Sequence, residues 1–596
     1  MQPVPVPQLL AQALEKHRAG DLDAAGVLYD SALAQAPLDF DALHLKGVLL
    51  RRRGDAAGAV ASIEKAIAAN PGRSADAELN LANALLDAGR ARDAIAHYDR
   101  ALAANPGDAA AWLRRGDALQ LCADNAAAVE SYRRAIALGA GDAPLYHNLA
   151  LALRKLHKAD EALDAAERAI ALKPGYAEAL HVAGNALATL GRNREALDRY
   201  RQALAFKPDH AELHSNLAHA LHLLGAHGDA RAHYDRAIAL RPDFTEAYFN
   251  RAVLSLETLD MAAAKADFEG AIAAEPAHEM AHRALSAVLL ATGEFERGWA
   301  EYEWRWRGAQ AGAQIGAPFG ERKRDFDVPR WSGDFDIKGK RILLHAEQGF
   351  GDTIQFVRYV PMVAALGAEI VLEVQPALKP LFAGMAGVAE LTGWLEPVPQ
   401  VDCHCPIMSL PHAFGTTLET VPAARAYLHA DAALVARWRQ RLGAGFNVGF
   451  ACSGSTTHKN DSNRSIPIDR FMAIAGGGQR FFCLQKDFRA PDRVWLQARP
   501  DIAVLAGELG NFADTAAAIE ALDLVVSVDT SIAHLAGALG KPIWVIVPYN
   551  ADWRWLQHRQ DSPWYPSMRL FRQPRFGDWQ TPLEDVAAAL RTLAKP

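Results

Sequence analysis

"ARAHYDRAIALRP", residues 230–242, decides how the first half of this chain folds. It sets two alanines, Ala230 and Ala237, around Tyr234 and ends on Pro242; "AIAHYDRALAANP" (94–106) repeats the arrangement. Pro37, Pro71, Pro106, Pro174, Pro208, Pro242 and Pro276 follow at steps of 34, apart from one step of 35 and one of 68. The long step holds two repeats, with Ala140 where a proline is missing. Alanine recurs twelve and five residues before all eight marks, and an aromatic residue stands eight before in six of them. Small residues let two helices approach, the aromatic ring fills the gap beside them, and proline stops the second helix. The period predicts antiparallel helix pairs stacked into a superhelix with a concave face. "FERGWAEYEWRWR" (295–307), with Gly298 and Tyr302, reads as a degenerate ninth copy.

This pattern resembles the tetratricopeptide repeat, which implies a surface that binds peptides or proteins. Asn80, Asn148, Asn216 and Asn250 each lie 26 residues before their mark, on the first helix, and Arg114 and Val182 interrupt the series. The resemblance puts that position on the concave side. In the protein O-GlcNAc transferases such an asparagine ladder grips an extended polypeptide, because a carboxamide both donates to and accepts from a peptide unit. The plainer reading is a row of solvated helix residues.

The chain has 596 residues, a net charge of −7 and a pI near 6.3. That balance gives no electrostatic case for nucleic acid or an anionic membrane. Charges interrupt every apolar run short of the roughly 18 residues that a membrane-spanning helix needs. The N-terminus lacks a signal-type core, and five scattered cysteines fit a reducing compartment, so a cytoplasmic location is expected.

Past residue 306 the composition changes. A Gly- and charge-rich stretch reads as a connector. Then "RILLHA" (341–346), "EIVLEV" (369–374), "NVGFAC" (447–452), "FFCLQ" (481–485), "LVVSV" (524–528) and "IWVIVP" (543–548) alternate with helical patterns. Such alternation predicts parallel sheets with helices on both faces. "AALVARWRQRLGAG" (432–445) reads as a helix leading into a second sheet.

"SVDTSIAHLAGALGKPIWVIVP" (527–548) and "GFGDTIQFVRYVP" (349–361) resemble the donor-site and N-terminal segments of heptosyltransferase-like GT-B glycosyltransferases. "SPWYPSMRLFRQ" (562–573) and "CPIMSLPHAFGTT" (405–417) look like stretches of bacterial proteins that fuse tetratricopeptide repeats to such a domain. Some members of that group modify flagellin.

Glycosyl transfer to a hydroxyl needs a base, a held sugar carbon and a stabilised leaving phosphate. Asp352, in a glycine-rich turn after a strand, suits the base, and by resemblance it matches the aspartate given that role. Gly349 and Gly351 would let a sugar or acceptor approach. The alternative is an aspartate that only caps its helix. Asp529, Thr530 and Ser531 stand where a strand meets a helix, so free amides and the helix dipole would face the donor phosphate. Asp529 itself would repel phosphate, and is expected to order the loop or meet a donor hydroxyl. His534 would reach phosphate or ribose, or be a core histidine. Arg464, before "SIP", stands where heptosyltransferases carry a phosphate-binding lysine, and can fork onto two oxygens. Lys459 is a second candidate. "CHC" (403–405) lacks a companion pair at zinc spacing, so no metal is expected. "DWRW" (552–555) could stack on a base or sugar, or pack in a core.

The sequence thus predicts an α plus α/β chain: tetratricopeptide repeats over 1–310, a connector over 311–338, and a GT-B-like pair of Rossmann-type subdomains over 339–440 (acceptor side) and 441–596 (donor side). The expected activity is metal-independent, inverting glycosyl transfer from a nucleotide sugar, with a CMP-linked nonulosonic acid and flagellin as the favoured donor and acceptor. The competing readings are a lipopolysaccharide-type glycan transferase and a non-catalytic scaffold, the latter because 340–430 is short for a full Rossmann half.

Overall fold

The computed structural model describes residues 4–73, 75–307, 326–394, 396–454 and 460–593. It forms two compact units, Met1–Ala247 and Tyr248–Pro596. Lys459 and most of the glycine-rich connector lie outside the described residues.

In the first unit, helices from Val6–Arg18 to His227–Leu240 form seven antiparallel pairs among the described residues. Asp39, Asp108 and Asp142 cap first helices, and Asp21, Asp55 and Asp124 cap second helices, each accepting a backbone N–H. Such caps satisfy donors that helix starts leave unpaired. The alanines twelve before each mark are fully buried, as are Tyr29, Tyr98, Tyr132 and Tyr234. Tyr132 and Tyr200 rest on Gly116 and Gly184 of the preceding helix. Three of the repeat tyrosines donate at one offset: Tyr98 to Asn83 Oδ1 at 2.8 Å, Tyr132 to Asp117 Oδ1 at 3.0 Å, and Tyr200 to Asn185 Oδ1 at 2.8 Å, whereas Tyr29 meets His17 Nδ1 at 3.3 Å. A Cβ at Gly184 would lie 2.4 Å from the Tyr200 ring. Gly184→Ala is therefore expected to cost about 1–3 kcal/mol, since a buried ring cannot yield without disturbing its neighbours. Urea denaturation of the full chain, followed by helical circular dichroism, measures this; an unchanged midpoint would show that the ring moves freely.

The unit boundary falls in the first turn of the helix Thr245–Glu257, which opens an eighth pair with Met261–Ala274; a ninth, Glu279–Thr292 and Phe295–Tyr302, follows in the second unit. Its strands are β1 (Arg341–His345), β2 (Glu369–Val374), β3 (Val388–Gly393), β4 (Cys403–Pro406), β5 (Asn447–Ala451), β6 (Arg480–Cys483), β7 (Ala503–Val504), β8 (Leu524–Val528), β9 (Ile543–Val547) and β10 (Met568–Arg572). They build two sheets, ordered β3-β2-β1-β4 and β10-β9-β8-β5-β6-β7, with every pairing between these strands parallel. β5, β8 and β9, in the middle of the second sheet, are wholly buried, as expected where helices cover both faces.

Three boundaries differ from the sequence-based ones. Residues 248–307 belong to the sheet-bearing unit, because Leu290, Phe295 and Trp299 share one core with Ile342, Phe356 and Trp564. Trp299 meets Phe356, Trp553 and Trp564 edge-on at 6.0, 5.2 and 6.3 Å. The last residues of the expected connector are structural: Trp331 and Ile337 are buried in that core, and Arg330 bridges to His404. The 440/441 boundary falls inside the helix Ala432–Leu442, whose Arg437 and Arg441 pair with Asp514 and Glu508 of the second half.

"CHC" is β4, and strand alternation explains it. Cys403 and Cys405 point into the core, while His404 turns to the other face and meets His345 at 3.1 Å. Burial, with Arg330 nearby, pushes the His404 pKa down to about 4.

Candidate active site

Two strand-to-helix turns meet. The first leads from β1 through "AEQGFGD" into the helix Phe350–Phe356. Gly349 is its N-cap and Asp352 the third helical residue, whose Oδ2 accepts the Gly349 N–H at 2.8 Å. Its other oxygen, Oδ1, pairs with the Arg554 guanidinium. Asp352 is thus both a local cap and a member of a charged cluster.

The second turn leads from β8 through Asp529 and Thr530 into the helix Ser531–Ala538. Thr530 is the N-cap, yet its side chain makes no capping bond; Thr530 Oγ1 instead meets Ser527 Oγ at 3.0 Å. Arg464 Nη1 donates to the Asp529 carbonyl at 3.0 Å. The guanidinium therefore holds the turn that opens this helix.

The helix starts touch. A Cβ at Gly351 would lie 2.8 Å from His534 Cδ2, so this glycine makes room for the His534 ring rather than for a sugar. Gly349 is less confined, since a Cβ there would meet only Asp352 Oδ2, at 3.2 Å. His534 is buried, stacks on Trp555, and places Nδ1 2.8 Å from the Tyr565 hydroxyl. Its Nε2 lies 3.8 Å from Asp529 Oδ1. Burial first, and then Arg554, Arg358 and Arg464, hold its pKa well below the usual range, so the ring is neutral. His534 joins the two turns from inside the core.

Arg554 is the residue that the sequence reading missed. It was visible in "DWRW", but the motif drew attention for its rings, and those pack: Trp555 is fully buried and Trp553 abuts Trp299. Arg554 also donates to Gln355 Oε1 and Asp552 Oδ1, each at 2.8 Å. One buried guanidinium thus ties Asp352 of the first turn to Asp552 of its own loop, and its charge acts on Asp529 of the second turn.

Asp529 is the titrating member. Burial, then the neighbouring Asp552 carboxylate, pushes its pKa from 3.8 up to about 6, against the pull of Arg464 and Arg554. Below about pH 4 the folded and unfolded chains both carry the proton; between about 4 and 6 the folded chain alone keeps it. Stability therefore falls as pH rises through that window, by up to about 3 kcal/mol, and Asp529→Asn is expected to flatten the slope. Urea midpoints of wild type and variant from pH 4.5 to 6.5 test this; parallel slopes would contradict it.

The asparagine ladder divides between the units. Asn80 meets His44 at 2.9 Å, Asn148 donates to Asp117 at 3.1 Å, and Asn216 meets His181 at 2.8 Å and donates to Asn185 at 3.0 Å. Asn250 lies half-buried on the helix Thr245–Glu257 of the second unit. Among the described residues one side-chain group has metal-ligand spacing: His181, His210 and Glu212, in the first unit. One candidate ligand atom of each is engaged already. His181 Nε2 meets Asn216, His210 Nδ1 accepts the Leu213 N–H, and Glu212 pairs with Arg241.

Family models match tetratricopeptide repeats over residues 10–74, 50–115, 109–138, 143–176, 184–225 and 211–244, and glycosyltransferase family 9 (heptosyltransferase) over 480–546. The second match spans β6 to β9 and so includes Asp529 to His534. The chain carries tetratricopeptide repeats followed by a heptosyltransferase-like glycosyltransferase domain. It is similar to Protein FlbA of Caulobacter vibrioides, 28% identical over 346 residues, which are 53% of this chain and 55% of that protein. The chain thus spans about half the length of the curated relative it matches. Among solved structures, YrrB, described as a tetratricopeptide-repeat protein with an unusual peptide-binding site, is 28% identical over 31% of this chain and 95% of its own, with a TM-score of 0.29. MamA is 29% identical over 27% of this chain and 94% of its own, with a TM-score of 0.26. Among the described residues no helix is long and apolar enough to cross a membrane.

Proposed function

We propose that this protein is a protein O-glycosyltransferase of GT-B type. Its repeats capture a polypeptide and present a serine or threonine hydroxyl. Asp352 takes the hydroxyl proton, the oxygen attacks the anomeric carbon with inversion, and the nucleotide phosphate leaves. The amides at the Ser531–Ala538 helix start, with Arg464, stabilise the leaving charge without a metal. The observation that carries the reading is the contact at Gly351. It sets the Asp352 turn against the helix start that lies inside the glycosyltransferase-matched segment.

By resemblance to bacterial proteins that join these repeats to such a domain, the favoured acceptor is flagellin, glycosylated in the cytoplasm before export. The favoured donor is a CMP-linked nonulosonic acid. Intact-mass measurement of flagellin and other secreted proteins, with and without the gene, tests this. A sugar-sized mass lost on deletion supports the reading. A second reading draws on the heptosyltransferase match itself: a lipopolysaccharide-type sugar acceptor. Unchanged protein masses with truncated lipopolysaccharide would favour it.

A further inference from the structure

The ninth repeat ends in "YEWR" (302–305), and two of these side chains reach the glycine loop. Arg305 forks onto Glu347, Nε to Oε2 at 3.0 Å and Nη2 to Oε1 at 2.9 Å. Both side chains are 3% exposed. Arg305 also donates to Ser409 Oγ at 2.7 Å and Glu303 Oε1 at 2.7 Å. Beside it runs an amide relay. Gln348 Nε2 donates to the Tyr302 hydroxyl at 2.9 Å, Gln375 Nε2 to the Gln348 carbonyl at 2.7 Å, and Thr353 Oγ1 to Gln375 Oε1 at 2.9 Å. The relay starts on the repeat, crosses the loop, and ends one residue past Asp352.

We infer that Tyr302 and Arg305 of the last repeat are positioning residues for Asp352, fixing the glycine loop through the Glu347 fork and the glutamine relay. A buried ion pair adds little stability over an apolar pair of equal volume. Cohesion here is already supplied by Trp299 and its aromatic neighbours. What the fork adds is direction: a planar guanidinium bound at two oxygens fixes the orientation of Glu347, two residues before the N-cap Gly349. The last repeat is then a wall of the transferase site rather than a spare unit of the array. Its activity readout rests on the proposed glycosyl transfer; its exchange readout does not.

The test uses the full chain with Tyr302→Phe, Arg305→Lys and the paired change Arg305→Met with Glu347→Met. The pair removes Arg305 and Glu347 together, and Glu303 keeps Arg330 at 3.5 Å and the Ser409 hydroxyl at 3.1 Å, so the fold is expected to survive. Amide hydrogen exchange across 346–353 is expected to rise about tenfold in the paired variant and about threefold in Tyr302→Phe, with the β8 and β9 amides unchanged. Turnover of the nucleotide-sugar donor is expected to fall at least about tenfold in kcat, with donor KM unchanged, because geometry and not binding is lost. Arg305→Lys should fall between. Wild-type exchange and kcat in the folded paired variant would overturn the inference. If that variant does not fold, wild-type exchange in Tyr302→Phe would overturn it. A wild-type chain that consumes no sugar nucleotide would refute the glycosyltransferase reading, while the exchange data would still decide the loop.

Discussion

Asparagine in place of Asp352 is expected to lower kcat for glycosyl transfer about 10²- to 10⁴-fold, the usual contribution of a positioned general base. The change is close to isosteric. The amide oxygen can still accept the Gly349 N–H, so the helix start keeps its cap. What is lost is the charge facing Arg554, which retains Gln355 and Asp552. A loss in kcat with little change in donor KM, in a variant that melts with the wild type, is the expected pattern. Retained activity would move the base elsewhere, and Asp529 would be the next residue to test. Its carboxyl titrates near pH 6, closer to a working base at neutral pH, and it lies in the same cluster. A pH–rate profile separates the two: a limb near pH 6 that disappears in Asp529→Asn assigns proton transfer to that carboxylate.

Much of the fold could be read because its signals are local and repeated. A period of 34 residues fixes where alanine, tyrosine and proline fall, and the buried Ala–Tyr packing follows. β2 and β8 match the apolar runs residue for residue, since strands buried on both faces leave continuous Val, Ile and Leu. β3, β4, β7 and β10 escaped notice. "CHCP" is too short and mixed to show alternation, and "MRLFR" carries an arginine at each side of its apolar pair. The domain boundary was hidden because Tyr302 occupies the place where a repeat keeps an aromatic anyway. Only tertiary structure shows that Trp299, on the same helix, faces Phe356 and Trp564 rather than another repeat. The candidate site divides in the same way. Asp352 and Asp529 stand in strand–turn–helix signatures, whereas Arg554 meets Asp352 from 202 residues away, a pairing that no window of sequence contains. Gly351 was read as room for a ligand because a glycine's neighbour across the fold is invisible in sequence.

Arg554→Met is expected to be the most destabilising single change at the site, by about 3 kcal/mol near neutral pH, because it leaves the partly buried carboxylates around it without their shared cation instead of removing a pair. The Arg554 side chain is 9% exposed, lies over the Trp553 ring at 4.2 Å, and serves Asp352 and Asp552 together. Methionine fills part of the volume and supplies no charge. Asp352, Asp529 and Asp552 would then repel one another with Arg464 as the remaining nearby cation. Since Arg554 now holds the Asp529 pKa down, its loss raises that pKa further, and the stability lost on ionisation extends to higher pH. The sign is distinctive: Arg554→Met should fall furthest below wild type at pH 8 and recover part of the gap at pH 5, where carboxylates take up protons. Urea midpoints at the two pH values measure this. Arg554→Lys should restore part of the stability but less of the activity, because a point charge cannot address Gln355, Asp352 and Asp552 at once. A methionine variant as stable as wild type at pH 8 would mean that the carboxylates reach water without the arginine. The contact between the two turns would then be held by His534 and the tryptophans alone.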